Sequence, residues 1–527
     1  MLGNHKTEFE MTRSAEHHRD TTLLGTCYWL SADNNNSSPI SAIDDATSIC
    51  DCKNIFENLT GFFSVVTRAS NKWIIAVDPL QSIPLYYISS AERTYITDSQ
   101  QQVKRHSNSS RDEISLAEYR TATYTTGPHT LLEDVYQVEP GTFIIVNDNS
   151  IKTKRYFQYA FHDQQRITRA DLDRVVEVII NRLKNYAGGR PIWIPLSAGY
   201  DSRLLATALA EDGYDELYTF SYGQTGNYES VKSKKVAASL GIPWKFVEYS
   251  HQKWRQAFQS EDRASFDASV ELITVPPLRE WMAVRELYIN GVMSEDSIIV
   301  PGHSADFLAG SHIPTKWHGR KSVSKKELID KIITDHYQYN DYNQKEEREI
   351  RKRIERITDF SGGSGSAAIE AYERWDWQAR QVRQITAHVW PHENLGLDWW
   401  MPFWDRDFLD FWLEVALEQR LDRRFYNDYV WHRYKRAADN PVLPEGFADT
   451  PVGRFQYWIK RSRFGPAATK LYNAVGNSDS ELSAKDAYNH SMANTGMMEF
   501  ETFERLYNGD RNARSYRARE RLGEVEF

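Results

Sequence analysis

Short apolar runs separated by turn residues dominate the first part of the chain. Between residues 59 and 97 these runs alternate with Gly, Asn, Asp and Pro, and the pattern predicts neighbouring antiparallel strands. A further strand pair is predicted on either side of Pro140-Gly141, and residues 151–157 supply one more strand. The chain up to about residue 160 is therefore predicted to be β-rich.

The spacing of the apolar positions changes near residue 165. The segment ADLDRVVEVIINRLKNY carries apolar residues at helical spacing and precedes Gly188-Gly189, which favours a helix end. Strand and helix patterns then alternate in the order PIWIPL, DSRLLATALAEDG, ELYTFSYG, YESVKSKKVAASLG and WKFVEY. This alternation predicts an α/β fold with a doubly wound parallel sheet, and a domain boundary near residue 165.

A last apolar strand, SIIVP, ends in the turn GHSADFLAG, and the remaining chain is predicted to be mainly helical. Charged helices are predicted from Ser324 to about Ile357, followed by a low-complexity linker at 361–368. Aromatic residues from Tyr372 to Tyr434 have spacings typical of packed helices. The predicted units are a domain over 1–165, a domain over 166–440 and a helical C-terminal extension over 441–527.

The composition argues against several classes of protein. The 527 residues carry a formal net charge of -9 without a long basic stripe, so nucleic acid is not an expected partner. The three cysteines, Cys27, Cys50 and Cys52, are too few for a disulfide framework or a tetrahedral zinc site, and the last two are predicted to mark a loop or strand edge. No apolar run approaches the roughly 20 residues of a membrane span, so we expect a cytoplasmic protein without membrane contact.

The residues that carry chemistry follow the strand PIWIPL, and they are Ser197-Ala198-Gly199-Tyr200-Asp201-Ser202. A turn of small residues between a strand and a helix gathers backbone N–H groups and the positive helix end around one point, which suits a phosphate. Gly199 lets the backbone approach the anion, Ser197 and Ser202 offer hydroxyl donors, and Asp201 is placed to hold magnesium. The absence of GK[ST] excludes a Walker loop, and a tight capped turn is the alternative interpretation.

These six residues resemble the SGGxDS pyrophosphate loop of ATP pyrophosphatases, flanked by Leu196 and Arg203 as in asparagine synthetase-like proteins. Ala198 replaces a glycine of that pattern, which requires a negative φ there. A second segment, PGHSADFLAG at 301–310, resembles SGEGADELFGG of the same family and also follows a strand. Tyr222 in FSYG stands at the family's adenine-contacting position, although a plain core strand is the alternative.

Four further segments resemble the same family. LTGFF from Leu59 resembles LDGxFA, MPFWDRDFLDF from Met401 resembles RPFLDxxxVEF, VEPG from Val138 resembles LPPGH, and Val77-Asp78 followed by PLYY at 84–87 resembles RDxxGxxPLYY. Asp405, within the second of these, is predicted to cap or pair. The resemblance runs from about residue 59 to about 440. It implies a degenerate class II glutamine amidotransferase-like (Ntn-hydrolase-like) α+β domain, then a PP-loop ATP pyrophosphatase domain.

By this resemblance the chain is an ATP-dependent ligase that adenylates a carboxylate and forms an amide with ammonia or an amine, by default converting aspartate to asparagine. Its implied cofactors are ATP and Mg²⁺, its partners are the small-molecule substrates, and a homodimer is compatible with it. The implied nucleotide-binding residues are Leu196, Ser197, Gly199, Asp201, Ser202, Tyr222, Pro301 and Gly302. The implied catalytic residues are Asp201, Ser202 and Asp306, with Asp201 and Asp306 as magnesium ligands.

The sequence departs from the family at three places. The family hydrolyses glutamine with an N-terminal cysteine, whereas this chain begins Met1-Leu2-Gly3, so we expect the first domain to be inert toward glutamine. Phe307 replaces an acidic residue of the family. Asn427 falls roughly where a C-terminal lysine is expected, and the candidates to compensate for that lysine are Arg423, Arg424, Arg433 and Lys435.

Two other classes of function stay open. A catalytically degenerate nucleotide-binding or regulatory homologue is suggested by Phe307 and Asn427. A structural assembly subunit would instead use the β-rich domain as an interface. Pyrophosphate release from ATP separates an enzyme from a binding protein, and MgATP binding argues against a purely structural subunit.

Overall fold

A computed structural model describes residues 6–30, 37–90, 93–147, 150–275, 277–443, 498–506 and 513–524. In these residues the chain is a mixed α/β protein with both antiparallel and parallel sheets. The strands are β1 (Lys6–Glu10), β2 (Ala15–His18), β3 (Thr21–Trp29), β4 (Leu59–Ala69), β5 (Lys72–Val77), β6 (Tyr86–Ser89), β7 (Arg93–Thr97), β8 (Val135–Gln137), β9 (Thr142–Asn147), β10 (Ser150–Arg155), β11 (Ile192–Pro195), β12 (Leu217–Gly223), β13 (Trp244–Glu248), β14 (Ile298–Ile299) and β15 (Asp398–Trp399).

Helices occur throughout and dominate after residue 250. They are α1 (Pro39–Asp44), α2 (Ile49–Glu57), α3 (Gln100–His106), α4 (Glu113–Ala122), α5 (Arg169–Ala187), α6 (Asp201–Glu211), α7 (Tyr228–Ser239), α8 (His251–Phe258), α9 (Glu261–Val270), α10 (Trp281–Ile289), α11 (Ala305–Leu308), α12 (Lys325–His336), α13 (Gln344–Thr358), α14 (Gly365–Asp376), α15 (Trp390–Asn394), α16 (Arg406–Glu414), α17 (Leu417–Arg420), α18 (Arg424–Ala437), α19 (Phe500–Leu506) and α20 (Ala513–Arg521). A π-helix, Trp377–Ile385, continues α14.

The first two sheets are formed before residue 156. One has the strand order β1-β7-β6-β8 and the other β10-β9-β5-β4-β3-β2. The predicted pairing of the strands on either side of Pro140-Gly141 is wrong, because β8 pairs with β6 whereas β9 pairs with β5 and β10. The chain crosses from one sheet to the other at this turn, where Gly141 has a φ of 63°. Apolar residues of both sheets then share one core between them.

The third sheet is parallel throughout, in the order β13-β12-β11-β14-β15. The predicted parallel arrangement of the strands in 191–249 and of SIIVP is thereby confirmed. The helix α5 that precedes this sheet begins with a capping box between Thr168 and Asp171 and ends at left-handed Gly188. It buries the apolar stripe that its periodicity predicts, which is Leu172, Val175, Val176, Ile179, Ile180 and Leu183.

The antiparallel and parallel parts of the molecule are packed together through aromatic side chains. The ring of Phe62 on β4 lies 5.0 Å from that of Trp399 and 4.7 Å from that of Trp400, centroid to centroid. Phe157 makes an edge-on contact with Trp377 at 5.2 Å. Aromatic contacts of this kind each contribute about 0.5–1.5 kcal/mol beyond their buried area. The parallel sheet and the helices after it are thus held against the first two sheets.

Two local predictions are wrong. The predicted linker at 361–368 is interrupted by α14, which starts at Gly365 because the hydroxyl of Ser364 accepts the N–H of Ala367 and caps the helix. Cys50 and Cys52 lie within α2 rather than in a loop or at a strand edge. No helix in the described ranges has the length and apolar content needed to cross a membrane. Most of the predicted C-terminal extension, 444–497, lies outside the described residues.

Candidate active site

The predicted phosphate loop connects β11 to α6. The backbone N–H of Ser197 donates to Oγ of Ser202 at 3.1 Å, and the N–H of Gly199 donates to Oγ of Ser197 at 3.1 Å. These bonds fold the six residues into a compact turn. No side chain caps the first turn of α6, so the positive end of this helix faces the turn.

Arg203 connects the turn to a distant segment of the chain through two hydrogen bonds. Its side chain is fully buried, and it donates to the carbonyl oxygen of Ala198 at 3.0 Å and to that of Val442 at 2.7 Å. Ala198 is not among the residues with positive φ, as the replacement of a glycine there requires. Arg203 therefore fixes the loop to the segment that follows α18, a contact that local sequence gives no reason to expect.

The second predicted segment lies directly against this loop. A Cβ atom on Gly302 would stand 2.5 Å from the backbone nitrogen of Ser202 and 2.8 Å from its Cα atom, so only glycine fits. Ser304 adopts a left-handed φ of 73°, and its hydroxyl donates to Oε1 of Gln381 at 2.8 Å. The two segments, a hundred residues apart, are thereby brought into backbone contact.

The carboxylate of Asp201 connects three parts of the chain. Its Oδ2 atom accepts the backbone N–H of Asp306 at 3.0 Å, and its Oδ1 atom accepts the hydroxyl of Tyr426 on α18 at 2.9 Å. Burial raises the pKa of Asp201 to about 8, and the negative charge of Asp306 acts in the same direction. A guanidinium nitrogen of Arg423 stands 3.8 Å from the Asp306 carboxylate.

These residues line a cavity of about 680 Å³ at the carboxyl ends of the parallel strands. The volume lies within the range of small-molecule sites, and this edge is where open parallel sheets bind ligands. The lining residues are Pro195, Leu196, Ser197, Gly199, Tyr200, Asp201, Ser202, Phe220, Ser221, Tyr222, Gly223, Gln224, Asn227, Tyr228, Glu229, Arg279, Glu280, Gly302, His303, Asp306 and Arg423.

The structure brings almost all of the predicted site residues to this one cavity. Pro301 is the exception, because it is buried and does not line the wall. Tyr222 does line it, with its ring stacked on that of Tyr249 at 5.2 Å and 16°. The side chain of Leu196 is buried, and its carbonyl oxygen accepts the hydroxyl of Ser221.

The residues that depart from the family pattern have different surroundings. Phe307 is fully buried and packs against Tyr159 and Trp404, so it belongs to the core. Asn427 does not line the cavity, whereas Arg423 does. The other three basic candidates do not line the cavity. Arg433 pairs with Glu211 and Asp173. Arg424 pairs with Asp422, and Lys435 is exposed.

Sequence reasoning missed several residues of the wall. Arg279 and Glu280 come from the segment before α10, whereas Asn227 caps α7 and Tyr228 and Glu229 belong to its first turn. None of them belongs to a segment whose pattern suggested a ligand. Arg423, which immediately precedes α18, was one of four basic candidates, and it is the one of the four that lines the cavity.

The three cysteines are internal residues, so none has the free α-amine that glutamine hydrolysis by an N-terminal cysteine needs, and two of the three are buried. Cys27 lies inside β3, opposite Gly61, and burial raises the pKa of its thiol to about 12. Burial also raises the pKa of Cys52 to about 11. The described part of the chain contains no cluster of three or more His, Cys, Asp or Glu side chains arranged around a metal position.

Comparison with known protein families gives one match, which lies in the β-rich first part of the chain. Residues 50–157 match the sequence profile of a glutamine amidotransferase domain, which leaves Cys27 outside the match. None of the curated proteins matches the chain in sequence.

Solved structures give weaker likenesses. An NH3-dependent NAD synthetase from Campylobacter jejuni subsp. jejuni NCTC 11168 is 18% identical over 28% of this chain and 61% of its own, with a TM-score of 0.20. A glutamine phosphoribosylpyrophosphate amidotransferase from B. subtilis is 14% identical over 55% of this chain and 63% of its own, with a TM-score of 0.19. This chain thus spans less than two thirds of each relative, and TM-scores this low do not establish a common fold. What the comparisons support is that residues 50–157 resemble a glutamine amidotransferase domain.

Proposed function

We propose that this protein is an ATP-dependent carbon-nitrogen ligase of the asparagine synthetase-like kind. It adenylates a small carboxylate and then forms an amide with ammonia or an amine, releasing AMP and pyrophosphate. The observation that carries the proposal is the junction of Asp201 with Asp306 at the wall of a 680 Å³ cavity, at the carboxyl edge of a parallel sheet.

The loop from Ser197 to Ser202 is the proposed pyrophosphate site. It offers two hydroxyl groups and the uncapped N-terminus of α6 on one side of the cavity. Arg423, just before α18, also lines the cavity and supplies a fixed positive charge near the carboxylate of Asp306. Tyr222, at the end of β12, is the proposed contact for the nucleobase. ATP would therefore lie across the strand ends with its phosphates toward α6.

The residues present fit a magnesium ion bound with the nucleotide. Two carboxylates, Asp201 and Asp306, share the wall, and burial together with their mutual repulsion disfavours the charged form of Asp201. A divalent cation favours both charged forms, and when bound it would neutralise charge on the phosphate oxygens. Two carboxylates are fewer than the ion's six ligands, so phosphate and water oxygens would complete its coordination.

In the first proposed step an oxygen of the substrate carboxylate attacks the α-phosphorus, and the bond to pyrophosphate breaks. In the second step nitrogen attacks the acyl carbon, the bond to AMP breaks, and nitrogen loses a proton. The side chains of this cavity act by holding the reactants and by balancing charge. Aspartate is the default carboxylate and asparagine the default product.

The proposed nitrogen source is free ammonia or a substrate amine. Cys27 is internal to a strand, so its nitrogen belongs to a peptide bond and cannot serve as the α-amine base of the amidotransferase mechanism. Its thiol is also almost entirely protonated at neutral pH, since its pKa is raised to about 12. The amidotransferase-like domain would then act as a wall or scaffold for the ligase domain.

The test is pyrophosphate release from MgATP, measured over a panel of amino acids and small carboxylates with ammonium present. Release that depends on one carboxylate, together with an amide product in which the carboxyl OH is replaced by NH₂, identified by mass spectrometry, supports the ligase. MgATP binding by calorimetry without release from any substrate would favour the alternative, a catalytically degenerate nucleotide-binding or regulatory homologue. Absence of MgATP binding contradicts both.

A further inference from the structure

A second polar cavity, of about 520 Å³, lies where the first domain meets the helices that follow the ligase sheet. It is separate from the nucleotide cavity and shares no lining residue with it. Its walls come from the end of α4, the loop after α11, α12, α14 and the π-helix. The lining residues are Ala122, Tyr124, Ser311, His312, Ile313, Pro314, Lys331, Asp335, His336, Tyr339, Tyr372, Arg380 and Gln384.

The carboxylates at this cavity already have partners. Asp335 pairs with Lys331 at 2.6 Å and also accepts the hydroxyl of Tyr372 at 2.5 Å. Asp376, fully buried beneath the wall, accepts from Nδ1 of His312 at 2.7 Å and from the side-chain amide of Gln381 at 3.0 Å. Neither carboxylate is therefore left to neutralise another cation at hydrogen-bond distance.

Arg380 is the cation at this cavity that has no carboxylate at hydrogen-bond distance among the described residues. The only carboxylate of the described residues within 4 Å of its guanidinium is that of Asp376, at 3.9 Å. One of its nitrogens instead stands 3.4 Å from each ring nitrogen of His312. Burial opposes the protonation of His312, but the carboxylate of Asp376 outweighs it and raises the pKa. Arg380 and His312 thus share the single carboxylate of Asp376, which lies 2.7 Å from His312 and 3.9 Å from Arg380.

The net charge of the cavity follows from these pairs. Its permanent cations are Arg380 and Lys331, its anions are Asp335 and Asp376, and the Asp376 carboxylate raises the pKa of His312 and so favours its charged form. His336 adds no charge at neutral pH, because burial lowers its pKa to about 4. With His312 protonated, one positive charge is in excess in a region from which water is partly excluded.

Two hydroxyl groups at the same cavity lack acceptors. The hydroxyl oxygen of Tyr124 and that of Ser311 are both buried, and neither has a hydrogen-bond partner. Tyr124 is 1% exposed. Burial raises the pKa of Tyr124 and the charge of Arg380 opposes this, so the two groups are close enough to interact. A buried donor without an acceptor costs about 1–3 kcal/mol, and an oxygen-bearing ligand would remove that cost.

The backbone at Arg380 is also unusual. Trp377–Ile385 is a π-helix of 9 residues, whereas such turns are rare and occur mostly where a side chain has a functional position. Arg380 and Gln384 are the two residues of this segment that reach the cavity. The segment therefore places a guanidinium whose nearest carboxylate is 3.9 Å away at the same cavity as two buried hydroxyl donors.

We propose that this cavity binds a small monocarboxylate, whose oxygens accept hydrogen bonds from Arg380, Tyr124 and Ser311. The single excess positive charge matches one carboxylate and leaves a phosphate dianion unbalanced. The volume exceeds what a bare inorganic ion needs, so the ligand carries an organic part. The proposal does not depend on the function of the nucleotide cavity.

The test uses the full chain without ATP, titrated with butyrate, inorganic phosphate and butylammonium in a calorimeter. Butyrate is expected to bind saturably, phosphate more weakly and butylammonium not at all. Arg380→Gln should lower the butyrate affinity by about tenfold or more, because a charge-assisted bond is lost. Tyr124→Phe, which keeps the shape of the side chain, should lower it by about threefold to tenfold.

Arg423→Gln is the matched control, since it removes a guanidinium from the nucleotide cavity instead. It should leave butyrate affinity unchanged. The proposal is overturned if butyrate does not bind at millimolar concentration, if phosphate binds more tightly, or if Tyr124→Phe and Arg423→Gln have equal effects. If Arg380→Gln does not fold, the difference in butyrate affinity between Tyr124→Phe and Arg423→Gln still tests the proposal.

Discussion

The backbone N–H of Asp306 donates a hydrogen bond to the Oδ2 atom of Asp201 at 3.0 Å, across 105 residues of sequence. This bond joins the carboxyl ends of β11 and β14, which are neighbours in the parallel sheet. It therefore sets the distance between the two segments that we propose to hold magnesium and pyrophosphate. Substitutions at either segment should therefore affect the other.

Asp201→Asn is expected to keep the fold and to weaken MgATP binding by about tenfold to a hundredfold, since charge-assisted interactions contribute about 1.5–3 kcal/mol. Burial raises the pKa of Asp201 to about 8, so the neutral amide resembles the protonated side chain of the nucleotide-free protein. Calorimetric titration with MgATP measures the effect. Asp212→Asn, at the exposed end of the same helix, is the control, and equal loss in both variants would contradict the site.

Gly302→Ala is expected to abolish tight nucleotide binding by pushing the second segment away from the loop. The added Cβ would meet backbone atoms of Ser202 at 2.5 and 2.8 Å, and backbone cannot yield as a side chain does. Overpacking of this kind costs about 1–3 kcal/mol of stability. Gly363→Ala is the control, because its added Cβ would meet no atom closer than 3.5 Å. Thermal unfolding and MgATP titration report the two effects, and wild-type affinity in Gly302→Ala would refute the close approach.

Glu373→Leu is expected to lower the free energy of unfolding by about 3–5 kcal/mol, because it leaves the charge of Arg420 buried and unpaired. Both side chains are 0% exposed, and their closest atoms are 2.7 Å apart. Arg420 also donates to the carbonyl of Leu308 at the end of α11, so the variant loosens the segment that carries Asp306. Denaturant unfolding measures the change. Lys326→Ala breaks a solvent-exposed ion pair and serves as the comparison, with no measurable loss expected.

Alkylation by iodoacetamide at pH 8 is expected to modify Cys50 long before Cys27 and Cys52. Cys50 is exposed, whereas burial raises the pKa of Cys27 to about 12 and that of Cys52 to about 11. Only about one Cys27 thiol in ten thousand is then ionised at this pH. Peptide mapping by mass spectrometry after timed quenching gives the order. Rapid labelling of Cys27 in the folded protein would contradict its placement inside β3.

Glutamine is expected to release no ammonia when incubated with the protein, with or without MgATP. The thiol of Cys27 is protonated, and its backbone nitrogen is held in a strand rather than free as an amine. Enzymatic detection of glutamate is the measurement, and ammonium in place of glutamine is the positive control for the ligase reaction. Sustained glutamate formation would overturn the account of the first domain.

The sequence predicted the parallel sheet well because each of its first three strands is a compact apolar run followed by a helix. It predicted the first domain less well, since pairing across Pro140-Gly141 depends on which sheet each strand joins. That choice is made by packing between the sheets, which alternation along one strand does not encode. The start of α14 was missed because glycine and serine near Gly365 favour a linker locally, while a capping serine and buried neighbours favour a helix.

The loop at Ser197 and the segment at Pro301 were predictable because their residues are contiguous and follow apolar strands. The contact of Tyr426 with Asp201 and the place of Arg279 in the wall were not, because each depends on long-range packing of helices. Arg423 could be named only as one of several basic residues, since spacing along α18 does not reveal which of them faces the cavity. The position of the loop at Ser197 thus follows from the sequence, whereas the surrounding wall follows from tertiary structure.

The hydroxyl that contacts Oδ1 of Asp201 comes from a residue 225 positions later in the chain. A ribosome therefore completes both aspartate segments well before it supplies Tyr426. Until then the nascent chain lacks the only side-chain hydroxyl that the described residues place on this carboxylate oxygen. Chains terminated before α18 would keep both aspartate segments but leave Oδ1 of Asp201 without this donor, whatever sheet structure they had already formed.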